Sequence, residues 1–226
     1  MKKQILSVAA AVLLIGAVTL VGCSKADTTA PVITLTGDAA VTINLHDTYA
    51  DAGATATDDK DGNITTTIAT SNPVNADQCG NYTVSYSVSD KAGNAATVVT
   101  RIVTVKSDNL AGTYAVHDVV TGATPSTNNG TFDYAVVVTQ SSTDNDKIIL
   151  SNFGGFGATS SVYANVNGTA ITVPSQTCMA TGAVVTVSGT GTYNVTGAGV
   201  AGAKIAQITY SATGGLGNGS ATYTKQ

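Results

Sequence analysis

The side chains that could carry acid–base or nucleophilic chemistry are few and widely spaced in this chain. The only histidines are His46 and His117, and all 14 acidic residues are aspartates. Neither histidine has a serine or cysteine motif nearby, so the sequence pairs no nucleophile with a base. Glycoside hydrolysis requires two carboxylates across a cleft, whereas Asp144 and Asp146 have the spacing of a hairpin turn. The sequence therefore predicts a protein that is not an enzyme.

Four aspartates in the N-terminal half could bind a metal ion. Asp58, Asp59 and Asp61 lie in a turn that contains Gly62, and Asp90 begins a second turn of similar composition. Calcium prefers clustered carboxylate oxygens, so these four residues form a possible calcium site. Their order departs from that of an EF-hand loop, and the same side chains can instead bond to backbone amides within the turns. Calcium binding and turn formation both stay open, and no other cofactor is expected.

Two of the three cysteines could form a disulfide. Cys79 and Cys178 fall in what we predict below to be separate domains, so a bridge between them would link those domains. Neither has a CxxC partner or a nearby histidine, which argues against a metal site and against a thiol nucleophile. A bridge and two free thiols are both compatible with the sequence.

The third cysteine, Cys23, follows a segment with the properties of a secretory signal. Two lysines come directly after the initiating methionine, an apolar run extends from Ile5 to Val21, and the segment ends in Leu20-Val21-Gly22-Cys23. This pattern resembles a bacterial lipoprotein signal peptide with a lipobox. The resemblance implies that residues 1–22 are removed and that Cys23 carries diacylglycerol. The alternative is an uncleaved transmembrane anchor, for which an apolar run of this length is marginal.

The residues after Cys23 bear on where such a lipoprotein is sorted. Ser24, rather than an aspartate, follows the cysteine, and the resemblance then implies transfer to the outer membrane. Glycan-foraging Gram-negative bacteria often place acidic residues just after the cysteine of lipoproteins that face outward, and Asp27 is a single residue of this kind. We expect a lipid anchor in the outer membrane, with exposure at the cell surface as a hypothesis.

The composition narrows the fold class and the range of partners. The chain has 24 glycines, no tryptophan and only 11% charged residues, and its long tracts are rich in Thr, Val, Ala, Ser and Asn. Such tracts are typical of an all-β secreted protein. The formal net charge of −4 argues against nucleic acid as a partner, because phosphates require a basic surface.

The mature chain is predicted to contain two domains. A strong β pattern ends at Val105, and polar, turn-forming residues occupy Lys106 to Asn109 before a new pattern begins. We assign residues 23–30 to the lipidated cysteine and a polar tether, residues 31–106 to a first domain and residues 107–226 to a second. Each domain is long enough to form its own core.

The first domain has the strand pattern of a small β-sandwich. Its alternating segments are Val32–Leu35, Val41–Leu45, Ile64–Ile68, Tyr82–Ser89 and Ala96–Val105. Five motifs, in order, resemble a bacterial immunoglobulin-like domain of the hyalin-repeat-related kind: residues 30–35 (APVITL), 47–54 (DTYADAGA), 58–64 (DDKDGNI), 80–84 (GNYTV) and 89–94 (SDKAGN). In that family the domain is a spacer or an adhesion module, so the resemblance implies no chemistry of its own.

The second domain shows about eight strands in close succession. Period-two alternation occurs at Gly112–Val119, Asp133–Thr139, Lys147–Ser151, Ser161–Val166, Thr169–Val173, Ala183–Tyr193, Lys204–Ser211 and Ser220–Thr224. Short turns such as Asn167-Gly168 favour antiparallel pairing of consecutive strands. A meander of this length removes its edges by closing on itself, so we predict an up-and-down antiparallel β-barrel.

Three short motifs of the second domain carry a further resemblance. Residues 110–114 (LAGTY), 152–157 (NFGGFG) and 171–176 (ITVPSQ) are similar to the lipocalin-like C-terminal domain found beside such immunoglobulin-like modules in outer-membrane lipoproteins of glycan-foraging bacteria. The function of that domain is largely uncharacterised. The resemblance implies ligand binding or an accessory role in glycan capture.

A barrel of about eight strands either fills with side chains or holds one small molecule. The aromatic residues that could line a ligand site are Tyr114, Tyr134, Phe153, Phe156 and Tyr163. The alternative, which we favour, is that Phe153 and Phe156 cap the core beside a glycine-rich bend, because apolar rings more often pack than bind.

The sequence thus predicts a noncatalytic cell-envelope lipoprotein. In this interpretation the immunoglobulin-like domain is a spacer, and the barrel offers a binding surface to a glycan or to another envelope protein. The alternative is a purely structural or adhesion module without a small ligand. A hydrolase is a third hypothesis, and it would require a cleft that joins carboxylates distant in sequence.

Overall fold

The computed structural model describes residues 25–180, 182–194 and 204–226, and these residues form β-strands and short 3-10 turns without any α-helix. The all-β class is therefore confirmed. Within the described residues, no helix is long and apolar enough to cross a membrane. The predicted signal peptide, residues 1–22, and the predicted lipidation site Cys23 lie outside the described residues.

The first domain is a sandwich of two sheets, with strand orders β1-β3-β4 and β2-β7-β6-β5. Its strands are β1 (Val32–Leu35), β2 (Ala40–Asn44), β3 (Ala54–Asp58), β4 (Gly62–Asn63), β5 (Ala69–Ser71), β6 (Gly80–Ser87) and β7 (Val99–Lys106). Neighbouring strands pair antiparallel except β2 and β7, which are parallel. Ile33 and Ala56 of one sheet meet Val84 and Val103 of the other in a buried core. The predicted immunoglobulin-like sandwich is confirmed.

One predicted strand of this domain, Ile64–Ile68, is wrong, because Thr65–Thr67 form a 3-10 turn. The Asn63 side chain accepts a hydrogen bond from the Thr65 amide at 3.0 Å, and the Thr67 hydroxyl donates to the Ile64 carbonyl at 2.8 Å. These side-chain bonds give the backbone an alternative to sheet pairing. Ile64 is nevertheless part of the core.

The core of the first domain also contains a buried cation, Arg101, which is 1% exposed. Its guanidinium donates to the Asp51 carboxylate and, at 2.9 Å, to the Tyr86 hydroxyl. It also donates to the backbone carbonyls of Asp38, at 2.8 Å, and Thr36. A buried charge is tolerated when it is paired and hydrogen-bonded, and Arg101 meets both conditions.

The second domain is a closed antiparallel barrel of eight strands, as predicted. Its strands are β8 (Gly112–Thr121), β9 (Gly130–Gln140), β10 (Lys147–Ser151), β11 (Ser161–Asn167), β12 (Ala170–Ala180), β13 (Ala183–Asn194), β14 (Lys204–Ala212) and β15 (Gly217–Lys225). Each strand pairs with the next along the chain, and β15 pairs with β8. Closure satisfies the backbone groups that an open sheet would leave at its edges.

Alternate side chains of the strands fill the interior of the barrel. On β8 the buried, inward residues are Tyr114, Val116, Asp118 and Val120. Large rings fit because neighbouring strands carry small residues. A methyl group at Gly219 of β15, for example, would overlap the ring of Tyr210 on β14. The interior is therefore packed by matched large and small side chains.

The two domains meet at the end of the barrel where β8 begins, which we call the near end. Leu45 and Val105 of the first domain are fully buried in the same apolar cluster as Leu110 and Tyr114 of the second. The Asn109 amide side chain donates to the Leu45 carbonyl at 3.0 Å. The junction is thus a shared core as well as a covalent connection.

Two further polar contacts cross this junction. A ring nitrogen of His46, Nε2, lies 2.7 Å from the Tyr193 hydroxyl of β13. The Asn145 side-chain amide, in the β9–β10 connection, donates to the Asn81 side chain at 3.1 Å. These bonds add polar contacts to the apolar ones between the first domain and the near end.

The N-terminal residues lie at the other pole of the first domain. The Asn94 side chain donates to the Asp27 carbonyl at 3.2 Å, beside the turn that precedes β7. Strand β7 then leads from this pole to the barrel over eight residues, or roughly 26 Å at 3.3 Å per residue. The tether and the barrel therefore lie at opposite ends of the sandwich.

Candidate binding site at the distal end of the barrel

The end of the barrel farthest from the first domain, the distal end, carries no charged side chain in its described loops. These loops comprise residues 122–129, 152–160 and 213–216, together with Gly182. They consist of Gly, Ala, Ser, Thr, Asn, Pro, Phe and Leu. The near end, by contrast, has Asp144 and Asp146 in its β9–β10 connection. The distal surface therefore offers hydroxyl and amide groups without a strong electrostatic field.

Residues 152–160, which we call the plug, close the distal end. Phe153 is fully buried, and its ring centroid lies 4.9 Å from that of Tyr210; the half-buried Phe156 is 6.1 Å from Tyr210 and perpendicular to it. Hydrogen bonds between Phe153 and Ser160 close the plug on itself. The Asn152 side chain ties it to β9 by donating to the Ala135 carbonyl at 2.9 Å.

The plug occupies a position where the barrel wall is incomplete. Strand β10 ends at Ser151, which pairs with Val137, so residues 130–136 of β9 have no β10 partner. Gly155 of the plug lies against the Tyr134 ring at this place, where a side chain would touch that ring at 3.0 Å. Gly155 also has a φ of +66°, which disfavours other residues. Glycine is required here because the backbone of the bend lies directly against the Tyr134 ring and leaves no room for a side chain.

Beneath the plug lies a buried carboxylate, that of Asp118, which is 0% exposed. Its Oδ2 atom accepts hydrogen bonds from the Tyr210 hydroxyl at 2.5 Å and from the Tyr134 hydroxyl at 3.0 Å. Its Oδ1 atom is buried and has no hydrogen-bond partner among the described residues. The carboxylate is therefore only half satisfied, unlike most buried polar groups.

Burial raises the pKa of Tyr134, Tyr210 and Tyr223, and the nearby charge of Asp118 raises each of them further. All three phenols are thus protonated at neutral pH. Tyr134 and Tyr210 can act only as donors toward Asp118, since a carboxylate is an acceptor when ionised. The cluster formed by Asp118, Tyr134, Tyr210 and Tyr223 combines one carboxyl group with three neutral phenol rings.

Three of the five aromatic residues predicted to line a ligand site do come together at the distal end: Tyr134, Phe153 and Phe156. Tyr114 is fully buried, but at the near end, where its hydroxyl donates to the Leu110 carbonyl at 2.8 Å. Tyr163 lies on the outer wall, 37% exposed, with the Lys147 ammonium 5.1 Å from its ring centroid. Its neighbours on β11, Val162 and Ala164, are the inward residues.

The sequence interpretation missed three residues of this site: Asp118, Tyr210 and Phe132. Asp118 occupies an inward position in the regular alternation of β8, and an acidic residue at such a position was the available signal. Phe132 pairs directly with Asp118 and so projects from the same face, although it is 45% exposed at the barrel mouth. Tyr210 had no distinguishing signal among the apolar residues of β14.

The four aspartates of the possible calcium site are not grouped as predicted. Asp61 accepts hydrogen bonds from the backbone and ammonium of Lys91, and Asp90 accepts them from Asn94. Asp58 and Asp59 instead have carboxylate oxygens within 4.8 Å of those of Asp27. Asp61 and Asp90 thus serve the turn chemistry considered above. Calcium binding stays a prediction.

The two cysteines of the described region are free, so the disulfide considered from the sequence is not formed. Cys79 packs against the cluster at the junction of the domains, near Tyr193. Cys178 pairs with Val185, eight residues along β13 from Tyr193 or roughly 26 Å. A disulfide requires Cα atoms within about 7 Å, so these two positions are far too distant.

Both histidines are held by aspartates in separate parts of the molecule. His46 Nδ1 lies 2.6 Å from Asp77, with Tyr193 at its other ring nitrogen. His117 lies 2.7 Å from Asp133 on the outer wall of the barrel, where both side chains are exposed. Neither histidine faces the distal cluster.

The fold and the site together define an all-β protein in which an immunoglobulin-like sandwich precedes an eight-stranded barrel. Residues 33–105 match the family described as bacterial surface protein, Ig-like domain. The match spans the sandwich and stops before the barrel. It places this domain in a group from bacterial surface proteins, which agrees with a location in the cell envelope. No curated protein matches the chain.

Three solved structures share features with the chain at low identity. A lipoprotein from Bacteroides thetaiotaomicron is 17% identical, with a TM-score of 0.33, over 87% of this chain and 100% of the other. Two structures of Clostridium perfringens ZmpB also match. One contains a CBM51 domain in complex with GlcNAc and INT domains, with 21% identity, a TM-score of 0.28 and coverage of 55% and 30%. The other contains an M60 catalytic domain with two CBM51 domains, with 14% identity, a TM-score of 0.29 and coverage of 86% and 21%. Structural similarity at this level gives no information about a ligand or an activity of this protein.

Proposed function

We propose that the protein is a noncatalytic, lipid-anchored protein of the outer membrane that presents the distal end of its barrel to glycans at the cell surface. In this proposal Cys23 carries the lipid and the immunoglobulin-like domain acts as a spacer. The observation that carries the proposal is the order of the parts along the molecule. The tether is followed by the sandwich, then by the near end of the barrel and last by its distal end.

The dimensions support display away from a membrane. Residues 25–30 lie at the pole of the sandwich opposite the barrel, so a lipid on Cys23 would put that pole next to the bilayer. Strand β7 spans roughly 26 Å, and a tilted barrel strand of 11 residues adds a height of roughly 25–30 Å. The distal end would then lie roughly 50 Å from the anchored pole.

The chemistry of the distal end supports a neutral, polar partner. Its described loops present Ser, Thr and Asn side chains without a charge, and the half-buried ring of Phe156 lies among them. Neutral glycans offer hydroxyl groups for such side chains and apolar ring faces for an aromatic residue. A nucleic acid would require a basic surface, which this end lacks.

The positions of the titratable side chains support a noncatalytic role. Within the described part of the barrel interior, Asp118 is the one carboxylate, and glycoside hydrolysis requires two. His46 is bonded at the junction, at the opposite end of the barrel from the distal cluster. His117 lies on the outer wall, so the strand itself separates its side chain from that cluster.

One observation favours the alternative of a purely structural or adhesion module. The inward positions of the barrel are occupied by buried side chains, including Ile148, Leu150, Ile171 and Ile208. A barrel packed in this way could act as a rigid terminal domain without any small ligand.

A glycan-binding assay separates the two proposals. We expect the full-length protein, purified in detergent, to bind one or more neutral polysaccharides of a broad panel. Thr159→Asp, which adds a charge to the plug, should weaken that binding about tenfold or more. Thr172→Asp makes the same change on the outer wall near the opposite end and is the matched control. Absence of binding across the panel would favour the structural module, and equal loss in both variants would remove the distal end as the site.

Protease treatment of intact cells tests the location. An outward-facing anchor should allow removal of the protein from intact cells, whereas an inward-facing one should protect it until the cells are lysed. Protection in intact cells would contradict capture of external glycans.

A further inference from the structure

Asp118 is a buried carboxyl group that the described side chains of the barrel leave partly unpaired. It is fully buried, and among the described residues no Lys, Arg or His forms an ion pair with it. Removing a carboxylate from water without a counter-charge is strongly unfavourable. The two tyrosine donors both bind Oδ2, which leaves Oδ1 without compensation.

The surroundings of Oδ1 suit a positively charged group. Tyr134, Tyr210 and Tyr223 lie close enough for the charge of Asp118 to act on each of them, and the rings of Phe153 and Phe156 contact Tyr210 at tilted and perpendicular angles. Aromatic faces attract organic cations, and the attraction strengthens when water is excluded. A carboxylate with several aromatic rings in its neighbourhood is therefore a chemical match for an alkylammonium group.

The pair of strands that carries Asp118 reaches solvent at the mouth of the barrel. Phe132 faces the same side of the sheet as Asp118 and pairs with it across β8 and β9, yet it is 45% exposed. Next to it, the wall of the barrel is completed by the plug instead of by a strand. The plug turns at Asn152, Gly154, Gly155 and Gly157, all of which have positive φ values. We expect access to Asp118 to require movement of this short segment.

We propose that Asp118 Oδ1 is the binding site for a small organic cation, a primary alkylammonium, which enters beside Phe132 when the plug moves aside. The ammonium donates hydrogen bonds to Asp118 Oδ1, and its alkyl part contacts the surrounding rings. This site lies below the distal surface proposed for glycans and uses different atoms. The two proposals can therefore succeed or fail separately.

Titration of short amines tests the proposal. The chain has nine tyrosines and no tryptophan, so its intrinsic fluorescence comes from tyrosine and responds to events in the cluster. We expect n-butylammonium to change this fluorescence in a saturable way in the full-length protein at neutral pH, where the amine is charged. n-Butanol, which has the same length without the charge, should bind about tenfold more weakly or not at all.

Two variants decide where the amine binds. Asp118→Asn keeps the shape of the side chain and should weaken binding about tenfold or more. Asp133→Asn removes an exposed carboxylate from the adjacent strand and should leave binding unchanged. Thermal unfolding of both variants verifies that each is folded. The proposal is overturned if folded Asp118→Asn binds butylammonium as well as the wild type does. It is also overturned if no amine from methylammonium to hexylammonium binds the wild type. Neither result depends on the glycan assay.

Discussion

Arg101 of the sandwich and Asp118 of the barrel are the two most deeply buried Asp, Lys, Arg or His side chains among the described residues, and their surroundings are opposite. Arg101 of the sandwich is 1% exposed and donates to a carboxylate, a phenol and backbone carbonyls. Asp118 of the barrel is 0% exposed, has no counter-charge among the described residues and leaves one oxygen without a partner. We infer from this difference that Arg101 stabilises the fold of the sandwich. Asp118, in contrast, marks a place where the barrel interior leaves a polar atom without a partner.

The largest effect should follow from removing the satisfied charge. Arg101→Met leaves Asp51 without its cationic partner and frees the backbone carbonyls that the guanidinium had bonded. Breaking a buried pair from one side destabilises proteins by about 3–5 kcal/mol, and we expect a loss of that size in chemical denaturation. Lys91→Met, which removes an exposed ammonium paired with Asp61, is the control and should leave unfolding of the sandwich unchanged. Equal effects of the two substitutions would break the comparison.

A smaller loss of stability should follow when Asp51, the partner of Arg101, is made neutral. Burial acts to raise the pKa of Asp51, but hydrogen bonds from Tyr86 and Tyr49 and the charge of Arg101 outweigh it, so this pKa lies below its ordinary value. The resulting stability is present above the ordinary value of about 3.9 and is lost as pH falls through the lower, folded-state pKa. Asp51→Asn should therefore cost about 1.5–3 kcal/mol at neutral pH.

Measurement of unfolding at a series of pH values tests whether the charge of Asp51 is the cause of this stability. The difference in unfolding free energy between the wild type and Asp51→Asn should shrink as the pH falls from about 4 toward 2, because the wild-type carboxyl becomes neutral as well. A difference that stays constant over this interval would show that the charge of Asp51 is not what stabilises the sandwich.

The incomplete charge should respond in the opposite direction. Asp118→Asn retains an acceptor oxygen for Tyr134 and Tyr210 and removes an uncompensated charge. We expect stability within about 1 kcal/mol of the wild type, with any change toward higher stability, measured by denaturant unfolding without added amine. A loss comparable to that of Arg101→Met would mean that Asp118 also belongs to the architecture.

The smallest effect should come from a charge pair in solvent. His117 and Asp133 are 2.7 Å apart on the outer wall, with side chains 60% and 79% exposed. Exposed pairs contribute little because water screens both partners, so Asp133→Asn should change the free energy of unfolding by about 0.5 kcal/mol or less. A larger change would indicate that this pair contributes beyond its surface contacts.

Much of the fold could be predicted because alternation along each strand reports which face is buried. In the barrel, inward residues such as Ile148 and Leu150 alternate with exposed ones, and all eight strands were found. In the sandwich, strand β3 was missed because its sequence, Ala54–Asp58, alternates alanine with threonine and so has little hydrophobic contrast. The segment around Thr65–Thr67 was misassigned because side-chain bonds favour a turn there.

The site was harder to predict because it depends on which strands become neighbours. Phe153 and Phe156 stand out in a glycine-rich motif, so their place at a barrel end could be anticipated from the sequence. Asp118 and Tyr210, however, are 92 residues apart, and only closure of the barrel through β15 and β8 brings their side chains together. Periodicity within one strand contains no information about such a contact.

The two free thiols sit at opposite ends of the barrel. Burial, followed by the charge of Asp146, raises the pKa of the half-buried Cys79 to about 11, and burial alone raises the pKa of Cys178. Because the thiolate is the reactive form, both groups should resist alkylating reagents while the native packing holds. The rate at which Cys79 is modified would therefore report how often the sandwich and the barrel separate. The rate at which Cys178 is modified would report how often the distal end of the barrel opens.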